Sequence, residues 1–102
     1  MIKFERYPHI NELLAIYLNE SPEPTISQII EKGITNQEDA EIFSQFIWRI
    51  VDKIHDDAEA GRLVLGRADN TDVLPDLSYE ITKYMRKTGF YNIWEHVSDN
   101  EN

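Results

Sequence analysis

The chain has 102 residues, which is enough for one hydrophobic core but not for two, and 41% of them are hydrophobic while 28% are charged. This balance is typical of a folded globular domain. The absence of cysteine excludes disulfides and thiolate metal sites. There is no signal-peptide core at the start and no apolar run near the roughly 20 residues of a membrane span, so we expect a soluble, cytoplasmic protein without membrane contact.

The charge is strongly acidic, with 10 basic against 19 acidic residues, a formal net charge of −9 and a pI near 4.6. Residues 25–61 alone carry 8 acidic and 3 basic side chains, a local balance of −5. Such a field repels nucleic-acid phosphates and anionic lipids and attracts basic surfaces. The composition therefore makes nucleic acid an unfavourable partner and favours a basic protein, although solubility alone is a sufficient reason for the charge.

The first predicted helix opens at Tyr7 and Pro8, because proline is well suited to the first position of a helix. Its apolar residues recur at the spacing of one helical face, namely Ile10, Leu13, Leu14, Tyr17 and Leu18. The residues before it fit either a short strand or an ordered arm. The connector 19–24 contains two prolines and is not helical throughout.

A second, short helix is predicted from Thr25 to Gly33. Thr25 and Gln28 have the spacing of a capping box, and Gly33 is suited to end the helix. Its apolar residues are Ile26, Ile29 and Ile30. A tight corner then leads into the next helix.

The longest predicted helix runs from Thr35 to Gly61, and the rest of the chain is short enough to pack around it. Thr35 and Glu38 form a second capping-box pattern. The apolar stripe consists of Ala40, Phe43, Ile47, Ile50, Val51, Ile54 and Ala58, flanked in the first half by Ile42, Phe46 and Trp48. We therefore expect a buried first half and, over residues 52–59, a solvated acidic second half.

Beyond Gly61, residues 62–74 fit either a small β-hairpin or an irregular loop. A helix is predicted from Asp76 to Lys87, with Gly89 after it, and its inward residues are Leu77, Ile81, Tyr84 and Met85. A final short helix is indicated by the spacing of Phe90, Ile93, Trp94 and Val97. Residues 98–102 are predicted to be a disordered tail.

The sequence thus predicts a mainly α fold: one domain over residues 1–97, with four to five helices around one long central helix. No catalytic motif is present, since there is no cysteine and no serine in a nucleophile elbow. The nearest approach to a metal site is the set Asp52, His55, Asp56 and Glu59, whose spacing of three and four places them on one side of a helix. The sequence does not identify a second element with further ligands, and His9 and Glu12 form the one comparable pair. We therefore predict no metal, no cofactor and no enzymatic activity.

A basic patch is predicted at Lys83, Arg86 and Lys87, with Arg62 and Arg67 as further members. Cations are favourable at a helix C-terminus in any case. Contact with phosphate is the alternative explanation.

The leading functional hypothesis is a small acidic protein-binding module that inhibits or regulates a basic partner, possibly one that binds nucleic acid. Its predicted contact residues are Asp52, Asp56, Asp57, Glu59 and Trp48. The alternative is a DNA-binding regulator of the helix-turn-helix or winged-helix type, built on residues 25–61. Against it, the first turn of the presumed recognition helix carries Glu38, Asp39 and Glu41, which have the wrong sign for DNA.

Overall fold

A computed structural model describes residues 2–62 and 73–94 of the chain. The fold is mainly helical, as predicted. Its helices are α1 (His9–Glu20), α2 (Pro24–Lys32), α3 (Gln37–Glu59) and α4 (Val73–Thr88). Residues 91–94 are also helical, and none of the described residues lies in a β-strand. No helix among these residues has both the length and the apolar character needed to cross a bilayer.

The N-terminal residues form an ordered arm rather than a strand. The Ile2 amide donates to the Ile30 carbonyl of α2 at 2.7 Å. Phe4 and Asn11 exchange two hydrogen bonds, in which the Asn11 side chain accepts at 3.1 Å and donates at 2.9 Å. Ile2 and Phe4 are both buried, so the arm belongs to the core.

Helix α1 confirms the predicted apolar face, since Ile10, Leu13, Leu14 and Tyr17 are all buried. Helix α2 begins at Pro24, one residue earlier than predicted. Its N-cap is Glu23, which makes no side-chain capping bond, so the predicted Thr25–Gln28 capping box is wrong. The helix begins at Pro24 and not at Thr25, because the fixed φ of proline suits the first helical turn and proline has no amide hydrogen that needs an acceptor.

Helix α3 is capped by Asn36 rather than Thr35. The Asn36 side chain accepts the Asp39 amide at 2.8 Å, while the Thr35 hydroxyl donates to the Asp39 carboxylate at 3.3 Å. The predicted Thr35–Glu38 capping box is therefore wrong by one residue. Gly61, predicted to end this helix, has φ +76°, a conformation that glycine adopts at little steric cost.

Helix α4 begins at Val73, three residues before the predicted start at Asp76. The hairpin alternative covers residues 62–74, of which residues 63–72 lie outside the described residues. Val73 and Leu74 are helical, so the prediction of a second strand at these two residues is wrong. Pro75 is tolerated because it lies in the first turn. The buried apolar residues recur every four positions, at Val73, Leu77, Ile81 and Met85, so the apolar face of the helix already begins at Val73.

The core draws on every described segment of the chain. Helix α2 packs against α3 and α1 against α4, and Phe43 and Ile47 of α3 are fully buried. Trp94, of the predicted final helix, is also buried. Val97 and the tail at residues 98–102 lie outside the described residues.

Candidate functional site

The second half of α3 presents three exposed carboxylates in one row. Asp52, Asp56 and Glu59 are spaced by four and three residues, so they share a face of the helix. None of them makes an ion pair or a side-chain hydrogen bond with another described residue. We call these three residues the acid row.

Asp57 does not belong to this face, although the sequence predicts it there. It is only 7% exposed, and it lies three residues after Ile54 and seven after Ile50, on the buried stripe of α3. The prediction of a wholly solvated acidic side is therefore wrong at this position.

Three partners surround the Asp57 carboxylate. The Tyr17 hydroxyl donates to Oδ2 at 3.1 Å. Lys53 Nζ and Arg62 Nη2 lie 3.1 and 2.8 Å from Oδ1, and Arg62 Nε donates to Oδ1 at 2.9 Å. Asp57 thus joins α1, α3 and the segment after α3.

Burial and pairing act in opposite directions at this cluster. Burial raises the pKa of Asp57. The hydrogen bonds from Arg62, Lys53 and Tyr17 together lower it by a larger amount, so the pKa of Asp57 lies below its ordinary value. The pKa of Tyr17 is raised by burial and by its hydrogen bond to Asp57. Asp57 is therefore an ionised internal anchor, not an exposed contact residue.

Other acidic residues are also held by cations. Asp39 lies 3.0 Å from Lys32 and Glu23 lies 2.8 Å from Arg49, and the hydrogen bond from Lys32 lowers the pKa of Asp39. The acid row differs from these residues because, within the part of the chain that the structure describes, no cation pairs with its charges.

Trp48 is half-buried rather than fully presented to solvent. Its ring stacks on Trp94 with centroids 5.2 Å apart and an interplanar angle of 19°. The Trp94 indole nitrogen donates to the Thr82 hydroxyl at 3.1 Å. The Trp48 indole nitrogen is buried and has no hydrogen-bond partner among the described residues.

A pocket of about 230 Å³ opens beside this pair of rings. Its described lining consists of Trp48, Val51, His55, Leu74, Leu77, Ser78 and Trp94. We call it the Trp pocket. His55 is exposed and lies three residues after Asp52, so it connects the acid row to the pocket. The sequence does not predict this pocket, because Leu74, Leu77 and Ser78 come from α4 and meet α3 only in the folded chain.

The metal hypothesis gains no second set of ligands from the fold. Among the described residues, no three His, Asp or Glu side chains lie close enough together to hold an ion. His9, on α1, instead has its Nε2 atom 3.0 Å from a carboxylate oxygen of Asp76 on α4.

The two packed helices joined by a short corner, on which the DNA-binding alternative depends, are present as α2 and α3. Glu38 and Glu41 are exposed in the first turns of α3, where a recognition helix would meet phosphates. Of the predicted basic patch, Lys83, Arg86 and Lys87 are exposed on α4, and the Arg86 guanidinium lies over the Tyr91 ring at 4.7 Å. Arg67 lies outside the described residues.

Comparison with known proteins gives no family to which the site can be referred. No family model matches the chain, and no curated protein or solved structure shows significant similarity to it. The function must therefore be argued from the chain's own geometry.

Proposed function

We propose that this protein is a small, non-enzymatic binding module, built around α3 as its central helix, that docks on a basic surface of a partner protein and inhibits or regulates it. The observation that carries the proposal is the acid row beside the Trp pocket, three exposed carboxylates that have no partner among the described residues. The partner would place Lys or Arg side chains on the row and one larger side chain in the pocket.

The unpaired state of the row favours an external partner. A carboxylate already held by a cation must lose that interaction before it binds another, whereas Asp52, Asp56 and Glu59 have nothing among the described residues to lose. The first and the last of them are seven positions apart, or about 10 Å along the helix at 1.5 Å per residue. That length matches a row of two or three basic side chains on a partner.

The Trp pocket supplies a desolvated site for an anchor residue, which the exposed charges of the acid row do not provide. Exposed ion pairs contribute little affinity each, and binding energy concentrates in desolvated anchors at the centre of an interface. Trp48, Val51 and Leu77 provide an apolar wall for such an anchor. An arginine would gain further, because its guanidinium can stack on an indole ring next to the acid row.

The net charge of −9 acts over a longer range. Complementary charge speeds the encounter with a basic partner and disfavours phosphate-bearing competitors. A partner whose basic surface normally binds nucleic acid would therefore be blocked by direct competition.

A charge-matched pair of triple variants tests the proposal. The first variant replaces the acid row with lysine (Asp52→Lys, Asp56→Lys, Glu59→Lys). The control replaces three exposed acids elsewhere, Glu12, Glu20 and Glu31, with lysine. Each substitution adds +2, so both variants change from −9 to −3. Proteins retained from a lysate of the source cells are identified at low and high salt, and affinity for the purified partner is then measured by calorimetry.

We expect one basic partner to be retained by the wild-type protein and the control and lost by the acid-row variant. The acid-row variant loses two or so exposed ion pairs and, with them, part of the anchoring in the Trp pocket. This loss should reduce the binding free energy by roughly 2 kcal/mol, or the affinity by about thirtyfold. Equal loss in both triple variants would mean that only the overall charge matters, and the acid row would then have no specific role.

The DNA-binding alternative predicts a different result. A helix-turn-helix protein must bind nonspecific duplex with strong salt dependence. A gel shift with the wild-type protein at low salt therefore decides between the two. A shifted duplex that is released by added salt would support DNA binding against the protein-docking proposal.

A further inference from the structure

A second pocket lies between the N-terminal arm and α4, and it differs in charge from the rest of the protein. Its volume is about 220 Å³, enough for a small organic molecule rather than a single water. Its lining consists of Lys3, Phe4, Glu5, Arg6, Glu80, Lys83, Tyr84 and Lys87. We call it the arm pocket.

Four of the chain's ten Lys and Arg residues line this one pocket. Lys3, Lys83 and Lys87 are exposed and form no ion pair with any described residue. Arg6 donates to the Tyr79 hydroxyl at 3.0 Å and lies over the Tyr79 ring at 4.8 Å. In a protein with nearly twice as many acids as bases, this concentration of ammonium groups favours an anionic ligand group at the rim.

The wall of the pocket carries the opposite charge. Glu80 is only 3% exposed, yet it makes no hydrogen bond and no ion pair with another described residue. The small part of Glu80 that is exposed includes its carboxylate oxygens, which line the arm pocket. No other described residue supplies this carboxylate with a cation or a hydrogen-bond donor, so a ligand in the pocket can supply one.

The helix C-terminus explains only part of this arrangement. Lys83 and Lys87 lie near the end of α4, where cations are favourable. Neither Lys3, which comes from the arm, nor the carboxylate of Glu80 in the pocket wall follows from the helix dipole. Phe4 and Tyr84, whose rings meet edge to face with centroids 6.2 Å apart, add aromatic walls that suit an ammonium group.

We propose that the arm pocket binds a small zwitterion, with its ammonium group at Glu80 and its anionic group on Lys3, Lys83 and Lys87. A phosphate alone would be repelled by Glu80, and an amine alone would be repelled by the lysines. A molecule that carries both groups a few bonds apart, as phosphoethanolamine does, satisfies both ends. The same chemistry occurs as a free compound and as a lipid headgroup.

Calorimetric titration with three probes tests the charge pattern: O-phosphoethanolamine, inorganic phosphate and ethanolamine. The wild-type protein should bind O-phosphoethanolamine about tenfold or more tighter than either half, the effect of one added charged hydrogen bond. Glu80→Gln should lose that advantage while its affinity for phosphate stays equal or rises. Lys83→Gln with Lys87→Gln should weaken binding of both phosphate-bearing probes.

Arg86→Gln is the matched control, because it removes a cation from the same helix without touching the lining of the arm pocket. It should leave all three affinities unchanged. Unchanged binding of O-phosphoethanolamine in Glu80→Gln, or wild-type binding of phosphate as tight as that of O-phosphoethanolamine, would overturn the proposal. So would the absence of saturable binding by wild-type protein, with circular dichroism confirming that each variant is folded.

Vesicle sedimentation distinguishes the two sources of the ligand. Phosphatidylcholine vesicles with and without phosphatidylethanolamine are compared for the wild-type protein and Glu80→Gln. Glu80-dependent retention on the ethanolamine vesicles would assign the site to a lipid headgroup. Binding of O-phosphoethanolamine without retention on vesicles would assign it to the free compound.

Discussion

Tyr17 of α1 donates its phenolic hydrogen bond to the Asp57 carboxylate of α3, with 3.1 Å between the two oxygens. The residues are 40 positions apart, and the bond is buried. Lys53 and Arg62 hold the other oxygen of the same carboxylate. The contact fixes the last two turns of α3 against α1, and those turns carry the acid row.

Removal of the Asp57 carboxylate should destabilise the fold. Asp57→Ala leaves the buried Tyr17 hydroxyl without its partner and should lower the free energy of unfolding by about 2 kcal/mol. The half-exposed Lys53 and Arg62 add little to this figure. Asp56→Ala, next to it but exposed, should cost no more than about 0.5 kcal/mol. Urea denaturation of both variants measures the difference, and equal midpoints would show that the buried contact adds no stability.

The same carboxylate should make stability depend on pH in the acid range. The pKa of Asp57 is lowered in the folded protein from an ordinary value of 3.8, so the folded state favours the ionised form. Its contribution is therefore complete above the unfolded pKa and is lost as pH falls through the lower folded pKa. The difference in unfolding free energy between the wild-type protein and Asp57→Asn should stay constant above about pH 5 and should shrink as pH falls from there to about pH 2. A constant difference across that range would contradict the argument.

Tyr17 should act in the opposite direction at alkaline pH. Its pKa is raised by burial and by Asp57, so the folded state retains a proton that the unfolded state releases near pH 10. The stabilisation is present below the unfolded pKa and is lost as pH rises above it. Tyr17→Phe should be the less stable protein at neutral pH, and its deficit should diminish above about pH 10. Denaturation of both proteins at a series of alkaline pH values checks this.

The cap of α3 can be tested against its neighbour in the sequence. Asn36→Ala removes the acceptor for the Asp39 amide and should cost about 1 kcal/mol. Thr35→Ala removes only a longer hydrogen bond to the Asp39 side chain and should cost less than about 0.5 kcal/mol. Thermal or urea unfolding of the two variants measures the order. The reverse order would place the cap at Thr35, as the capping-box pattern alone predicts.

The apolar periodicity predicts the helices and most of the core, because spacings of three and four residues within a helix do not depend on which residue caps it. The helix starts were less predictable, since Thr35 competes with Asn36, and Thr25 with Pro24, for the same role. Asp57 and Glu80 were missed because charged residues are ordinarily exposed. Asp57 nevertheless lies on the stripe of Ile50 and Ile54. The pockets have no local signal, since their walls come from different segments.

Trp48 and Trp94 stack on each other but should contribute different amounts to the stability of the fold. Trp94 is 6% exposed and donates to Thr82, so Trp94→Ala should remove about 3 kcal/mol of stability. Trp48→Phe should cost less than about 1 kcal/mol, because the substitution also removes a buried indole N–H to which no described residue offers an acceptor. Urea unfolding followed by far-ultraviolet circular dichroism measures both without relying on tryptophan fluorescence. Equal costs would mean that the Trp48 indole nitrogen finds a partner in solution, and the Trp pocket would then be more polar than its lining indicates.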